Sequence, residues 1–294
     1  MYKIKEKPED FVVNEITNLK LQDKGNYCIF LLKKINYTTE KSVQTIANKL
    51  RIPRKNIGYA GNKDKIAITT QYISIKNARI KELELKEISL ELKGYIAYPI
   101  SLGDLEGNEF IINVITDKKP KKITKITNYF GEQRFSTNNI EIGKSLIQKD
   151  FKKAAELIDD RKVQESLKEK PNDFIRALRK LPMKILKIYV HAYQSYLWNL
   201  LAEENKNLKT NKRLNIIGFD TDLTKEEESL LKKEGINKRD FIIRQIPDLT
   251  VEGTGRDLFT EISNLKINKI EKGYNLKFKL KKGCYATEVI KQLF

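Results

Sequence analysis

The chain holds one histidine, two cysteines, two methionines and one tryptophan in 294 residues. With His191 alone, a metal site built from several imidazoles is excluded, and a serine triad would have to recruit that one ring. Cys28 and Cys284 have no metal-ligand spacing and are too few for a disulfide framework, so both read as ordinary buried or half-buried thiols. Acidic residues are in deficit: 39 Asp and Glu face 57 Lys and Arg, for a net charge of +18 and a pI near 9.5. No apolar run approaches the roughly 20 residues that a membrane helix needs, and charge begins at Lys3 in place of an apolar leader. A cytoplasmic protein is expected. No GxxxxGKS or GxxxxGKT loop is present, so Asn62-Lys63-Asp64 does not read as part of a GTPase. Gly253-Thr254-Gly255 is too short, and lacks the strand-then-helix setting, for a dinucleotide loop.

What is present is a globular composition, 40% apolar and 33% charged, long enough for one large domain or two ordinary ones. The cationic excess favours a polyanionic partner, since each phosphate neutralised by a cation releases condensed counterions. Residues 11–16 and 26–33 read as strands, the second apolar enough to be central in a sheet. Thr38 or Thr39 caps a helix whose apolar residues Val43, Ile46, Ala47 and Leu50 fall at i, i+3, i+4 and i+7, ending before Pro53. Strand-like segments follow at 67–75, 83–100 and 108–115. A lysine cluster, Lys118 to Lys122 around Pro120, leads into an expected helical face of Ile123, Ile126 and Tyr129.

From 140 to 210 the pattern is helical, with Ile185, Ile188, Tyr189, Ala192, Tyr196 and Leu200 as its expected core stripe and His191 read as a packed or capping histidine on the same helix. Residues 213–219 read as a strand, and Thr224 with Glu227 forms a capping box for a helix ending at Gly235. Strand patterns return at 240–246 and at 274–281, where apolar and basic residues alternate. The succession of strand, helix and strand defines an α+β protein.

The densest local signal is Gly58-Tyr59-Ala60-Gly61-Asn62-Lys63-Asp64-Lys65-Ile66-Ala67-Ile68-Thr69-Thr70-Gln71. Two glycines mark a turn, the run after Ala67 alternates as a strand does, and Asp64 falls on the loop between them. Loops on a rigid sheet are where catalytic groups concentrate, which makes Asp64 the leading candidate for a catalytic carboxylate. No acidic cluster at ligand spacing accompanies it, against a metal-dependent nuclease.

The segment resembles the GxKDxxAxTxQ signature of the TruD-type pseudouridine synthases, with Gly61, Lys63, Asp64, Ala67, Thr69 and Gln71 filling the pattern. Three further blocks match in order: Lys5 through Glu15 (KEKPEDFVVNE), Asn128 through Phe135 (NYFGEQRF) and Gly283 through Thr287 (GCYAT). The helix His191 to Asn199 is similar to that of the archaeal and eukaryotic-like members. One departure is Ser136, where relatives commonly have glycine.

The resemblance implies a pseudouridine synthase core at 1–140 and 253–294, with a mixed, mainly antiparallel sheet flanked by helices. An α/β TRUD domain would be inserted at 141–252, shorter than is usual. It implies an isomerase that turns uridine into pseudouridine in tRNA, at position 13 of the D-arm, as a monomer and without cofactor or metal. Asp64 would be the catalytic carboxylate, as nucleophile or as base toward a sugar proton. A carboxylate kept ionised in a closed pocket needs a cation nearby, and by its place in the motif Lys5 would be that cation. The substrate site would also include Phe11, as a wall, Lys63, Gln71 in a supporting role, Asn128, and Phe130 packed on the target base. The rival reading is a noncatalytic RNA-binding protein of the same fold, indifferent to loss of Asp64. Alanine at Lys118, Lys119, Lys121 and Lys122 is expected to weaken tRNA binding. It should also flatten the salt dependence, by about 0.7–0.9 in the log–log slope for each phosphate no longer neutralised, as read from binding isotherms across a salt series.

Overall fold

A computed structural model describes residues 2–136 and 138–294. The chain divides into two compact units, Met1–Ile126 with Glu261–Phe294, and Thr127–Thr260. The sequence-based insertion at 141–252 lies inside the second unit. In the first unit, β1 (Phe11–Ile16) and β2 (Tyr27–Ile35) precede α1 (Thr39–Leu50). Then come β3 (Ile57–Tyr59), β4 (Ile68–Lys76), β5 (Glu82–Leu85), β6 (Ile88–Ile96) and β7 (Gly107–Ile115). The short β8 (Lys125–Thr127) leads into the second unit. There α2 (Asn139–Ile147), α3 (Phe151–Leu157), α4 (Arg161–Glu169), α5 (Phe174–Leu178) and α6 (Met183–Asn205) are followed by β9 (Arg213–Ile216), α7 (Lys225–Lys233) and β10 (Thr254–Asp257). The chain returns through β11 (Phe259–Glu261) to β12 (Ser263–Ile270), β13 (Gly273–Lys281) and α8 (Ala286–Leu293).

The sheet of the first unit runs β12-β13-β7-β1-β4-β2-β6-β5, with β3 pairing on β4. Its β1–β4 pair is parallel, Val12 opposite Ile68 and Asn14 opposite Thr70, and the other pairs are antiparallel. This is the mixed, mainly antiparallel sheet of an α+β protein. Both helices lie on one face. Phe11 and Val13 pack with Val289, Ile290 and Leu293 of α8, while Ile73 and Ile75 pack with Val43, Ile46 and Ala47 of α1. Val13 is level with Thr69, and Thr69, Gln71, Ile73 and Ile75 share a face by the period of two. On the other face Ile29 meets Ala60 and Ile100 from loops.

Parallel strands start at the same end of a sheet. The residues leading into β1 and those leading into β4 therefore arrive side by side, and the site is built there.

In the second unit α2 packs on α6, close enough that a Cβ at Gly143 would stand 2.1 Å from the Tyr189 carbonyl oxygen. The Thr224–Glu227 capping box forms as read from sequence, and Gly235 follows α7 at φ 70°, a conformation that favours glycine.

Three expectations are corrected. Residues 123–129 do not form a helix: Lys125–Thr127 is a strand, in keeping with the crowding of β-branched Ile123, Thr124, Ile126 and Thr127. Residues 240–246 are not a strand, because Asn237 and Asp240 cap each other across a 3-10 turn, Lys238–Phe241. In α6 the fully buried apolar and aromatic positions are Leu186, Val190, Tyr193, Leu197, Trp198, Leu201 and Ala202, with Ala192 shared and Ile188 48% exposed. That helix is apolar on several sides, so its period does not select a face. Phe278, fully buried and stacked on Phe110 at 5.5 Å, anchors the α8 side of the sheet. Phe278→Ala is expected to cost about 3–5 kcal/mol, read from urea unfolding.

Candidate active site

Residues 3–10 are held at both ends against β7. Lys3 and Ile115 exchange main-chain hydrogen bonds, and Asp10 accepts from Asn113 Nδ2 through Oδ1 and from the Lys7 N–H through Oδ2. Pro8 opens the 3-10 turn Pro8–Asp10, where its missing N–H costs nothing. Between these anchors Lys5 takes φ 59°, a left-handed conformation uncommon for a residue with a Cβ and one that collects at functional sites. The bend directs its ammonium over the Phe11 ring, 3.9 Å from the centroid, and onto Asp64, with Nζ 3.2 Å from Oδ1. Phe11 itself is buried beneath and packs edge-on to Phe110.

The loop carrying Asp64 is pinned by side chains from three strands and a helix. Gln71 Nε2 donates to the Gly61 carbonyl at 3.1 Å, and Thr39 Oγ1 accepts from the Lys63 N–H at 2.9 Å while donating to Gln71 Oε1. Thr38 is the helix cap, accepting from the Lys41 N–H, which leaves Thr39 turned inward for this work. Lys63 Nζ reaches Glu15 Oε2 at 2.6 Å, and Glu15 Oε1 accepts from the Tyr72 N–H. That ion pair is all but closed to water, its side chains 4% and 1% exposed. The polar side-chain atoms of Lys63 and Gln71 are thus spent on holding the loop to β1, β4 and α1. Asp64 remains half-buried, at the end of this scaffold and beside Lys5.

A third lysine, absent from the motif, completes the scaffold. Lys34 is fully buried on β2, and its Nζ donates to the Asp64 carbonyl at 2.8 Å and to the Tyr37 carbonyl at 2.5 Å. Burial pushes its ammonium down to about 8, with Asp64 opposing the shift and Lys63 adding to it. The folded chain therefore binds this proton more weakly than the unfolded one. Below pH 8 the charged form costs about 3 kcal/mol of stability, a cost relieved as pH rises from about 8 toward the ordinary lysine value.

Asn128 and Phe130 belong to the second unit. The Asn128 amide donates to the Asp257 carbonyl and accepts from Arg256 Nη2 at 2.7 Å, and Arg256 Nε donates to the Asn128 carbonyl. Asn199 grips both main-chain groups of Phe130, at 2.9 and 3.0 Å. The Phe130 ring stands edge-on to Trp198, with the Arg256 guanidinium over it at 4.2 Å and that of Arg134 at 5.4 Å. Arg256, like Lys34, is a residue that the sequence pattern does not mark. Its only signal is the neighbouring Gly253-Thr254-Gly255, and these glycines serve close packing, since a Cβ on Gly253 would meet Thr221 Oγ1 at 2.1 Å. His191 is packed as expected, Nδ1 3.0 Å from Gln194 Oε1, and burial lowers its pKa. Among the described residues no group of three or more His, Cys, Asp or Glu is placed to hold a metal ion, and no helix is long and apolar enough to cross a membrane.

The family model described as tRNA pseudouridine synthase D (TruD) matches residues 2–159, 156–215 and 202–293, and the chain belongs to that family. It is 30% identical to the tRNA pseudouridine synthase D of Aquifex aeolicus over 390 aligned positions, covering 99% of this chain and 98% of that one. It is likewise 30% identical to the protein called probable tRNA pseudouridine synthase D in Nanoarchaeum equitans, over 374 positions with the same coverage. Both alignments are longer than the 294 residues here, so stretches of those relatives have no counterpart in this chain. A crystal structure of a TruD protein from Methanosarcina mazei superposes with a TM-score of 0.76 at 24% identity, covering 99% of this chain and 93% of that one, which shows the shared fold.

Because removing one partner of a buried ion pair strands the other charge, Lys63→Met is expected to destabilise by about 3–5 kcal/mol. Adding Glu15→Gln should recover part of the loss, which a double-mutant cycle of chemical unfolding would show.

Proposed function

We propose that this tRNA pseudouridine synthase isomerises the uridine at position 13, in the tRNA D-arm, with Asp64 as its essential carboxylate. The observation that carries the reading is the Asp64–Lys5 ion pair on a loop pinned by Lys34, Thr39, Lys63 and Gln71. A carboxylate so placed has its charge supported and its position set before substrate arrives, as catalysis by preorganised groups requires. In the reaction the N1–C1′ bond breaks, the uracil turns, C5 bonds to C1′, the C5 proton leaves and N1 gains one, so product is an isomer of substrate. Attack by the carboxylate on C1′ and removal of a sugar proton both call for the same ionised group beside a cation.

The unit Met1–Ile126 with Glu261–Phe294 would be the catalytic core, and it carries +14 of the net charge of +18, suited to a phosphate backbone. The second unit would be the inserted domain. Its Phe130, with Arg256 held in place by Asn128, offers an aromatic and cationic surface of the kind that receives an unstacked base. The protein would act as a monomer in the cytoplasm.

Tritium release from tRNA transcribed with 5-tritiated uridine tests the reading. Wild type should release label and Asp64→Asn should not, with tRNA affinity unchanged within a few-fold. Release from Asp64→Asn at the wild-type rate would remove Asp64 from the mechanism. No release by either protein despite tRNA binding would favour a noncatalytic role.

A further inference from the structure

We propose that Lys34 is a positioning residue of this active site: its buried ammonium ties the Asp64 main chain to the end of β2 and the start of α1, and turnover depends on that ammonium being charged. The inference rests on reading Asp64 as the essential carboxylate. It goes beyond that reading by making the geometry of the carboxylate depend on a group that touches no part of the Asp64 side chain within hydrogen-bond or ion-pair distance.

Four observations carry it. The Lys34 side chain is wholly removed from water, and among the described residues no carboxylate lies within ion-pair distance of it. Both of its acceptors are main-chain carbonyls, and one of them belongs to Asp64. Its cross-strand neighbours, Thr69 on β4 and Ile88 on β6, carry no charge. The charged groups acting on it are Asp64, which favours the ammonium, and Lys63, which disfavours it and is itself answered by Glu15. An apolar side chain at this position would avoid the penalty of a buried cation but would leave the Tyr37 and Asp64 carbonyls without their donor, so the lysine is here for those two hydrogen bonds and not for packing. What the lysine supplies is a charge-assisted pair of hydrogen bonds that fixes the loop at Asp64, and a positive potential next to the carboxylate.

Deprotonation leaves two N–H donors on the amine but removes the charge that strengthens both bonds and supports Asp64. Burial brings that event down to a pH of about 8. Activity and stability then respond in opposite senses: turnover falls as pH rises through this range, while the stability that Lys34 contributes rises.

The test is the pH profile of single-turnover pseudouridine formation at saturating tRNA, for wild type, Lys34→Arg and Lys34→Met, with tRNA affinity and thermal unfolding measured on each. Wild type should lose turnover about tenfold per pH unit above the transition near 8. Lys34→Arg should lack that limb, because a guanidinium does not titrate there. Lys34→Met should bind tRNA within about threefold of wild type yet turn over about 100-fold more slowly, the scale of a misplaced catalytic group. A Lys34→Met protein at the wild-type rate, or a Lys34→Arg protein with the same alkaline limb, would overturn the proposal. If neither variant folds, the wild type still decides, since level turnover through pH 9 contradicts it. Activity in Asp64→Asn would defeat the reading of the site itself. An inactive Asp64→Asn beside a fully active Lys34→Met would defeat only the role of Lys34.

Discussion

The candidate site depends on a loop whose polar groups are answered by buried side chains. Residues 60–66 have no regular structure to satisfy their amides and carbonyls, and a buried main-chain group left unpaired costs as much as a lost hydrogen bond. Gln71, Thr39 and Lys34 remove that cost one group at a time, and the Lys63–Glu15 pair ties the loop to β1 through its side chains. Their partners sit on β1, β2, β4 and the first turn of α1. The loop therefore cannot shift without breaking bonds to the sheet that carries it.

Charge is used unevenly in this scaffold. Lys5 pairs with Asp64 at a position water can reach, over the face of Phe11. Lys63 is neutralised by a carboxylate equally buried, and Lys34 donates to two main-chain carbonyls, with the Asp64 charge acting on it from beyond ion-pair distance. A hydrophobic replacement at the last of these would remove the buried cation but leave the Tyr37 and Asp64 carbonyls without their donor. The left-handed backbone of Lys5 belongs to the same pattern, local strain held in place by the anchored segment around it.

In the second unit the same logic is carried by aromatic rings. Asn199 clamps the main chain of Phe130 and Asn128 holds Arg256, which fixes a guanidinium over the ring. Asn128 and Phe130 are legible in the sequence because they fall in one block. Arg256 is not, since 126 residues separate it from Phe130 and nothing local marks it.

Most of the elements can be read from the chain, because strands such as 11–16 and 68–76 alternate cleanly and α7 carries its own capping box. The failures share a cause. At 123–129, at 240–246 and around α6, local pattern is compatible with more than one answer, and tertiary packing chooses. The Asp64 loop and Lys5 are visible as motif residues. The roles of Glu15, Thr39 and Gln71 as loop anchors, the buried Lys34 and the contact of Arg256 with Phe130 are not, for they are pairings between residues far apart in sequence. The sequence by itself determined which residue types stand on the loop and what chemistry they can support. Only the tertiary structure, through the parallel pairing of β1 with β4, decided that Lys5 and Asp64 meet, because parallel strands bring the segments before them to one end of the sheet.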